Sequence, residues 1–432
     1  MPPRSRLAVA LASVLALGVA AGPAVAAPSP VTRPPARCDT TGPNHTALCD
    51  AISGLPDDDA TAALVRVGGT SGTWRGTSGV RDLTTNRPAL ENGRFRAGST
   101  TKVVTAAMVL QLAAEGRVDL DEDVETYLPG LLPDTFKEPV TVRHLLTFTS
   151  GLKPGKGLGP VDGEGYENRY VTLTPEEVVA SSVAQGPDFG PGDEQQYRNI
   201  DYTVLGLLIE RVTGDSYEHQ AYVRVLKPVG MRHTSFPGGP DPRIHGPHNR
   251  GYQLLADGRL VDATEWNMSD RWAAGDMIST TADLERFLVA LFSGQVVPEP
   301  QLKEMFTVPD IPGATMSAGL KLEKLPNGRQ VWVRTGARPG YSTVIAATRD
   351  LSLTLVYSVN ATDAKSEDMN PVAVRIIQAA LGQGRRAWSP HPSGSSSGMC
   401  RTPGRLSSSS PGSKRHMPTT CQNSPVTSPS YL

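Results

Sequence analysis

Charge of one sign, cysteine and long apolar stretches are all scarce in this sequence. The chain has 42 Lys and Arg against 43 Asp and Glu, so its formal net charge is −1. Without a basic excess, the composition gives no electrostatic reason to expect a nucleic-acid partner. Four cysteines in 432 residues are too few for a disulfide-built scaffold. With 38% hydrophobic residues, a chain of this length can bury a large core.

The longest apolar run lies at the N-terminus. Arg4 and Arg6 precede the run LAVALASVLALGVAA, and residues 24–26 offer small side chains for cleavage. This order is typical of a secretory signal peptide, here residues 1–26, although a retained amino-terminal anchor is the alternative. No other stretch is long and apolar enough to span a bilayer. We therefore expect a secreted, extracellular protein with no stable membrane anchor.

The cysteines fit an exported protein. Cys38 and Cys49 are close in sequence and form a plausible small disulfide in an oxidising compartment. Cys400 and Cys421 are a second possible pair. Four cysteines allow three connectivities, and the sequence does not choose among them.

Composition also divides the chain into segments. Residues 385–432 are rich in Ser and Pro with almost nothing to bury, which predicts a disordered tail. Residues 27–59 are interpreted as an N-terminal extension, and residues 60–384 as the folded body. Strand patterns stand at both ends of this body and helical patterns between them. The patterns predict an α/β protein (α+β type) whose sheet joins distant parts of the chain. The predicted strands are ALVRVGG, TWRGTSGVRD, RQVWVRTG, STVIAATRD and LSLTLVYSVN, and the main predicted helices follow Ser99 and lie in DYTVLGLLIERVTG, TADLERFLVALFSG and NPVAVRIIQAALG.

A serine and a lysine three residues apart open one of these helices. Ser99 and Lys102 would share a helix face, so the amine can reach the hydroxyl. Free N–H groups at a helix start can also stabilise an oxyanion. A second Ser-x-x-Lys, at Ser150 and Lys153, is followed by Pro and Gly and is interpreted as a turn.

Two further patterns can complete a site around this pair. Tyr197-x-Asn199 sits between an extended piece and a helix, where the phenol can relay protons and the amide can hold a substrate carbonyl. The other Tyr-x-Asn, from Tyr166, lies in a Gly-rich loop. Arg334-Thr335-Gly336 ends a predicted strand, where a cation and a hydroxyl can bind a carboxylate.

In this order, the three motifs resemble those of the penicillin-recognising serine hydrolases. These are the class C β-lactamases and, more closely, secreted serine D-alanyl-D-alanine carboxypeptidases of actinobacterial type. The likeness runs from about residue 60 to residue 384 and includes TVRHLLTFTSGL and AAGDMISTTADLERFLVALFSGQ. It implies an antiparallel sheet flanked by helices, a mostly helical second region and a site in the cleft between them.

The resemblance also implies roles. Ser99 would form an acyl-enzyme, Lys102 and Tyr197 would manage its proton, and Asn199 would bind a substrate amide. Thr335, with Arg334 behind it and Gly336 allowing close approach, would bind the substrate carboxylate. The N–H groups of Ser99 and Ala337 would form the oxyanion hole. The implied substrate is a peptidoglycan stem peptide, and the alternative is a β-lactam or ester. We expect a monomer that needs no cofactor or metal.

One position departs from the family pattern. Arg334 stands where close relatives carry His and many others Lys, and arginine keeps the charge but hardly releases a proton. The extra arginine with which some carboxypeptidases bind the carboxylate has no clear counterpart, although Lys321 and Lys324 lie in the corresponding segment.

Rival interpretations are weaker. An α/β-hydrolase needs Gly-x-Ser-x-Gly on a strand-to-helix turn, and this pattern occurs only in the Ser-rich tail. His245 and His248 have no obvious third ligand for a metal. Trp266 and Trp272 are candidates for the cleft wall or for the core. A catalytically inactive binding homologue is the remaining alternative.

Overall fold

Two chain segments that are far apart in sequence join in one antiparallel sheet. The computed structural model describes residues 33–237, 239–325, 327–366 and 368–382. The strands are β1 Arg37–Cys38, β2 Ala60–Gly69, β3 Trp74–Gly79, β4 Phe95–Arg96, β5 Tyr252–Leu254, β6 Leu260–Asp262, β7 Ile278–Ser279, β8 Lys321–Lys324, β9 Gln330–Arg338, β10 Tyr341–Ala347 and β11 Leu353–Ala361. In the described residues, seven of them form a sheet of order β1-β3-β2-β11-β10-β9-β8, while β4 pairs with β7 and β5 with β6.

Helices cover the sheet and build a second region. They are α1 His45–Ile52, α2 Thr101–Ala114, α3 Val124–Tyr127, α4 Val142–Leu146, α5 Glu164–Glu167, α6 Pro175–Val183, α7 Asn199–Thr213, α8 Tyr217–Ala221, α9 Lys227–Val229, α10 Trp272–Gly275, α11 Thr281–Phe292 and α12 Pro371–Ala380. Short 3₁₀ segments lie at Gly98–Thr100 and Gln301–Phe306, and a π-helical segment at Tyr222–Leu226. The order of strands and helices confirms the predicted fold class.

The central strands are buried on both faces, which explains their nearly continuous apolar sequence. On β11, Leu355 and Tyr357 belong to an apolar cluster with α1 and α12, whereas Val356 between them belongs to the larger cluster on the opposite face. Helix α11 packs against this second face of the sheet. The sheet is therefore a middle layer that holds its strand ends in fixed positions.

Helix α2 lies in the middle of the larger core and positions the N-terminal motif. Eleven of its fourteen residues are buried, so it is apolar almost all round. Its packing partners include α7 and α10. A helix surrounded in this way has little freedom to move, and residues at its first turn keep their geometry.

Most predicted elements are present, and their ends differ from the predicted ends by up to three residues. The segment 27–59 was interpreted as an extension, and its described part supplies β1 and α1, which packs on α12. The Cys38–Cys49 disulfide is present, which confirms that pairing. The predicted signal peptide, Cys400, Cys421 and the tail from residue 385 lie outside the described residues. In the described part of the chain, no helix has the length and apolar character needed to cross a membrane.

Candidate active site

Ser99 lies in a tight turn immediately before α2. The turn Gly98–Thr100 is a 3₁₀ segment that continues into the helix, and the Ser99 side chain is half-buried. Gly98 has a φ of 55°, and a Cβ at this position would lie 2.6 Å from the backbone nitrogen of Ala337. Only glycine combines this backbone conformation with so close an approach. The turn that carries Ser99 therefore packs directly against strand β9.

Lys102 is fully buried and points back at this serine. Its Nζ lies 3.4 Å from Ser99 Oγ, and it donates to Asn199 Oδ1 at 2.7 Å and to the carbonyl oxygen of Ala274 at 2.6 Å. Burial lowers the pKa of the Lys102 ammonium well below its ordinary value, and the nearby cations Arg334 and Arg271 lower it further. Lys102 therefore releases its proton far more readily than a surface lysine.

Tyr197 and Asn199 reach the same point from another element. Asn199 begins α7, and Tyr197 stands two residues earlier, outside any helix or strand. The Tyr197 hydroxyl donates to Ser99 Oγ at 2.7 Å and lies 3.4 Å from Asn199 Oδ1. The Asn199 oxygen thus holds the lysine, while the Tyr197 hydroxyl bonds directly to the serine.

Strand β9 forms the opposite wall. A Cβ on Gly336 would lie 2.1 Å from the carbonyl oxygen of Ala97 and 3.0 Å from the nitrogen of Ser99. Any other residue here would separate the strand from the serine turn. Because of this approach, the backbone nitrogens of Ser99 and Ala337, which are the expected oxyanion-hole donors, both lie at this contact. Thr335 is half-buried beside them.

Arg334 packs inside the site. It is 5% exposed, its Nε donates to the carbonyl oxygen of Ser99 at 3.2 Å, and its guanidinium carbon lies 4.5 Å from the centroid of the Tyr197 ring. The Phe148 ring lies at 5.6 Å. The predicted cation is therefore beside the predicted nucleophile, with its charge directed at the Ser99 turn.

Sequence patterns did not reveal a second group of charges near Lys102. Asp270 forms ion pairs with Arg271 at 3.0 Å and with Arg338 at 3.1 Å. Arg338 is separated from the other two by more than sixty positions, so no local motif could have identified this group. Its effect is electrostatic, because Arg271 contributes to the lowered pKa of Lys102.

The other Ser-x-x-Lys has a structural role, as expected for a turn. Ser150 donates to the buried carboxyl of Asp201 at 2.5 Å, and Lys153 donates to the carbonyl oxygen of Gln185. Asp201 stands on the first turn of α7 near Lys102. Burial raises the pKa of Asp201 to about 8.

The remaining candidates lie elsewhere or have other partners. The Tyr166 ring packs under the guanidinium of Arg169. The sequence left Trp266 and Trp272 open between cleft wall and core, and both are buried in the larger apolar cluster. Lys321 on β8 pairs with Glu323 at 2.7 Å.

The two histidines considered for a metal have other neighbours. His245 contacts Asp241 at 2.6 Å, and His248 contacts the carbonyl oxygen of Gly246 at 2.8 Å. Across the described ranges, no three His, Cys, Asp or Glu side chains converge as a metal site. The geometry around Ser99 is compatible with a lysine-activated serine nucleophile.

Comparisons with known proteins agree with this geometry. A family model described as "Beta-lactamase" matches residues 50–379. The structure of a D-stereospecific amidohydrolase from Streptomyces sp. is 32% identical with a TM-score of 0.69, covering 79% of this chain and 100% of that chain. A D-amino acid amidase from Ochrobactrum anthropi SV3, complexed with D-phenylalanine, is 27% identical with a TM-score of 0.64, covering 78% of this chain and 99% of that chain.

The matches to curated relatives cover a smaller part of each chain. The putative penicillin-binding protein PbpX of Bacillus subtilis is 28% identical over 252 residues, which are 57% of this chain and 57% of that protein. Protein flp of Staphylococcus aureus is 30% identical over 212 residues, which are 49% of this chain and 41% of that protein. The chain thus spans about half the length of these curated relatives.

Proposed function

This chain belongs to the beta-lactamase family of serine hydrolases, and we propose that it is a secreted D-alanyl-D-alanine carboxypeptidase that acts on peptidoglycan stem peptides. The observation that carries the proposal is the buried Lys102 amine, 3.4 Å from Ser99 Oγ, with Tyr197 at 2.7 Å on the same oxygen. A nucleophile needs such a base, because the serine hydroxyl is weakly nucleophilic while it holds its proton.

The contacts of Lys102 suit a neutral amine. Such an amine has two N–H groups and one lone pair, and its two shortest contacts are acceptors, Asn199 Oδ1 and the Ala274 carbonyl oxygen. With both N–H groups engaged, the lone pair is left for the third neighbour, Ser99 Oγ. The Ser99 proton can then pass to Lys102, directly or through the Tyr197 hydroxyl.

The chemistry proceeds in two steps that share this base. Ser99 Oγ forms a bond to the substrate carbonyl carbon, and the oxyanion receives hydrogen bonds from the N–H groups of Ser99 and Ala337. The C–N bond then breaks, and the leaving D-alanine takes the proton from Lys102 or Tyr197. Water then attacks the acyl carbonyl carbon and gives a proton to the same base, the ester bond to Ser99 breaks, and Ser99 Oγ takes that proton back. Thr335 and Arg334 would bind the terminal carboxylate of the substrate.

A persistent covalent adduct tests the nucleophile. The mature protein is mixed with benzylpenicillin, and intact mass is followed over time beside Ser99→Ala and Ser150→Ala. We expect an adduct in the parent protein and in Ser150→Ala but none in Ser99→Ala. An adduct that survives in Ser99→Ala would overturn the assignment. If no adduct accumulates while the drug disappears, the enzyme is a β-lactamase with fast turnover.

A second candidate is a D-amino acid amidase. It is favoured by the similarity to the D-stereospecific amidohydrolase and the D-amino acid amidase. Such a substrate has no terminal carboxylate, so it would not use Arg334. Release of D-alanine from a peptide ending in D-Ala-D-Ala, measured beside ammonia release from D-phenylalanine amide, separates the two. Brisk hydrolysis of nitrocefin or an ester with neither release would favour a β-lactamase or esterase instead.

Export is part of the proposal. The apolar N-terminal run supports it, and so does the Cys38–Cys49 disulfide, because such bonds persist in oxidising compartments. Mass analysis of protein from culture medium tests it. We expect an N-terminus near residue 27, and full-length protein retained in the cell would contradict export.

A further inference from the structure

A second cavity lies away from Ser99, near the C-terminal end of α7. Its volume is about 300 Å³, and its wall includes Glu176, Glu210, Glu218, Trp272 and Asp276. We call it the acidic cavity. Glu210 follows the first residue of α7 by eleven positions, so it lies about 16 Å further along the helix axis. At Glu210 the acidic cavity is therefore well away from the proposed catalytic site, and its described lining includes none of the proposed catalytic or substrate-binding residues.

Charge in the acidic cavity has one sign. Four carboxyl groups line it, and none of the described lining residues is Lys, Arg or His. They form a gradient of depth, from exposed Glu176 through half-buried Glu210 and Glu218 to Asp276, which is 2% exposed. A cation entering this cavity would meet acceptors from its mouth to its base.

Asp276 provides a second observation, independent of the cavity lining, that indicates a ligand. Its Oδ1 is buried and has no hydrogen-bond partner among the described residues. A buried polar atom without a partner destabilises a fold, and such atoms are rare in native structures. In contrast, the Glu218 carboxylate is held in place by the Trp272 indole, which donates to it at 2.8 Å. The Glu218 carboxylate therefore has a fixed position in the cavity wall, while the most buried acceptor, Asp276 Oδ1, has no donor among the described residues.

The arrangement does not suit a metal ion. Metal ligands must converge on one point at about 2.0 to 2.6 Å, and no such cluster of three occurs among the described residues. Carboxyl groups spread along a cavity instead match a ligand with charges at both ends. The indole of Trp272 adds an apolar surface for the carbon chain of such a ligand.

We propose that the acidic cavity binds a small organic cation of the alkyl-diamine class. One ammonium group lies at the base, where it donates to Asp276 and Glu218, and the other lies toward Glu176 at the mouth. The methylene chain between them packs along Trp272. This proposal does not depend on the catalytic role of Ser99.

Binding is expected to strengthen as pH rises. Burial raises the pKa of Asp276 well above its ordinary value; the neighbouring Glu218 raises it further, while Arg338 on β9 and Arg96 on β4 oppose the rise. Tyr217 on α8 also faces this carboxyl and stays neutral, because burial raises the pKa of its phenol. A bound ammonium group stabilises the ionised carboxyl, so binding should release a proton from Asp276.

Calorimetric titration with butane-1,4-diamine tests the proposal, with butane-1,4-diol as the uncharged probe of the same length. We expect one diamine per chain, no heat from the diol, and at least tenfold weaker binding in Glu218→Gln and in Asp276→Asn. Titration in buffers with different ionisation enthalpies should show proton release in the parent protein and less in Asp276→Asn. Ser99→Ala should bind like the parent, so failure of the catalytic proposal would not affect this result.

Matched variants show where the ligand binds. Glu91→Gln removes an exposed carboxylate that does not line the cavity, and it should bind like the parent. If Asp276→Asn does not fold, Glu218→Gln and Glu176→Gln give the same information. Absence of diamine binding at millimolar concentration would overturn the proposal. Binding that is equal in all cavity variants, or calcium chloride binding in place of the diamine, would also overturn it.

Discussion

The charge of Arg334 should set the pH at which the enzyme becomes active. Lys102 must be neutral to accept the serine proton, and Arg334 is the largest charge contribution to its lowered pKa after burial. Replacing Arg334 with Gln removes this charge while keeping an N–H donor on a shorter side chain. The pKa of Lys102 should rise, so that less neutral amine is present at a given acidic or neutral pH.

The size of the effect follows from the geometry. Lys102 Nζ lies 5.0 Å and Arg334 Cζ 4.5 Å from the same Tyr197 ring centroid, so the two charges are at most about 9.5 Å apart. At an effective dielectric constant of about 20, two unit charges at this distance repel by about 1.7 kcal/mol. This energy corresponds to about 1.3 pKa units. We therefore expect the ascending limb of the pH profile to move up by about one unit.

The assay is kcat/KM for p-nitrophenyl acetate against pH, because this substrate has no charge to interact with Arg334. Below the limb, Arg334→Gln should be about tenfold slower than the parent, and on the plateau the two should agree. Arg334→Lys is the control, since it keeps the charge. An unshifted limb in the Gln variant, or a shift in the Lys variant as large as that in the Gln variant, would contradict the electrostatic role of Arg334.

Three other predictions concern single positions. Tyr197→Phe removes the hydroxyl bonded to Ser99 and should lower kcat/KM at least about a hundredfold, whereas Tyr166→Phe should leave it unchanged, both read with the same ester. Gly336→Ala places a methyl group 2.1 Å from a carbonyl oxygen and should lower both the melting temperature and the activity. Gly163→Ala, where a Cβ meets open space, should retain activity. An unchanged melting temperature in Gly336→Ala would contradict the close approach. The pKa of Asp201 is raised to about 8, so the folded state binds this proton more tightly than the unfolded chain, and its contribution to stability is lost as pH rises from about 4 through 8. Asp201→Asn should therefore gain more in melting temperature at pH 8 than at pH 5, and an equal gain at both would show that the carboxyl does not titrate in this range.

The helices, the strands and the pairing of Ser99 with Lys102 could be predicted because their signals are local, whereas the convergence of Tyr197 and Arg334 on this pair is implied by the family resemblance. Apolar periodicity identifies α2, α7 and α11, and β-branched runs identify β10 and β11. Spacing places Lys102 one turn from Ser99. Gly98, before Ser99, and Gly336, after Thr335, allow the close backbone contact between the two motifs, and both glycines are visible in the sequence. These features depend on residues within a few positions of one another.

The environment of the base could not be predicted in this way. Asp270, Arg271 and Arg338 join the site only because α10 and β9 pack near α2, and the acidic cavity forms where α6, α7, α8 and α10 meet. No motif marks them, since each of these residues is ordinary in its own segment. Their effect depends on distance and burial, which are properties of the packed chain.

The order of the elements and the pairing of Ser99 with Lys102 follow from apolar periodicity and helical spacing in the sequence. The expectation that Tyr197, Asn199 and Arg334 approach this pair rests on their motifs and the family resemblance. Packing of distant segments buries Lys102 and brings its Nζ within 5.0 Å, and Arg334 Cζ within 4.5 Å, of the Tyr197 ring centroid. The same packing places the Ala274 carbonyl oxygen where it accepts a hydrogen bond from Lys102. The physical reason is that a pKa depends on solvent exclusion and on charges nearby in space. A lysine at this spacing is only a candidate base, and the surrounding fold supplies the burial and the neighbouring cations that lower its pKa well below the ordinary value.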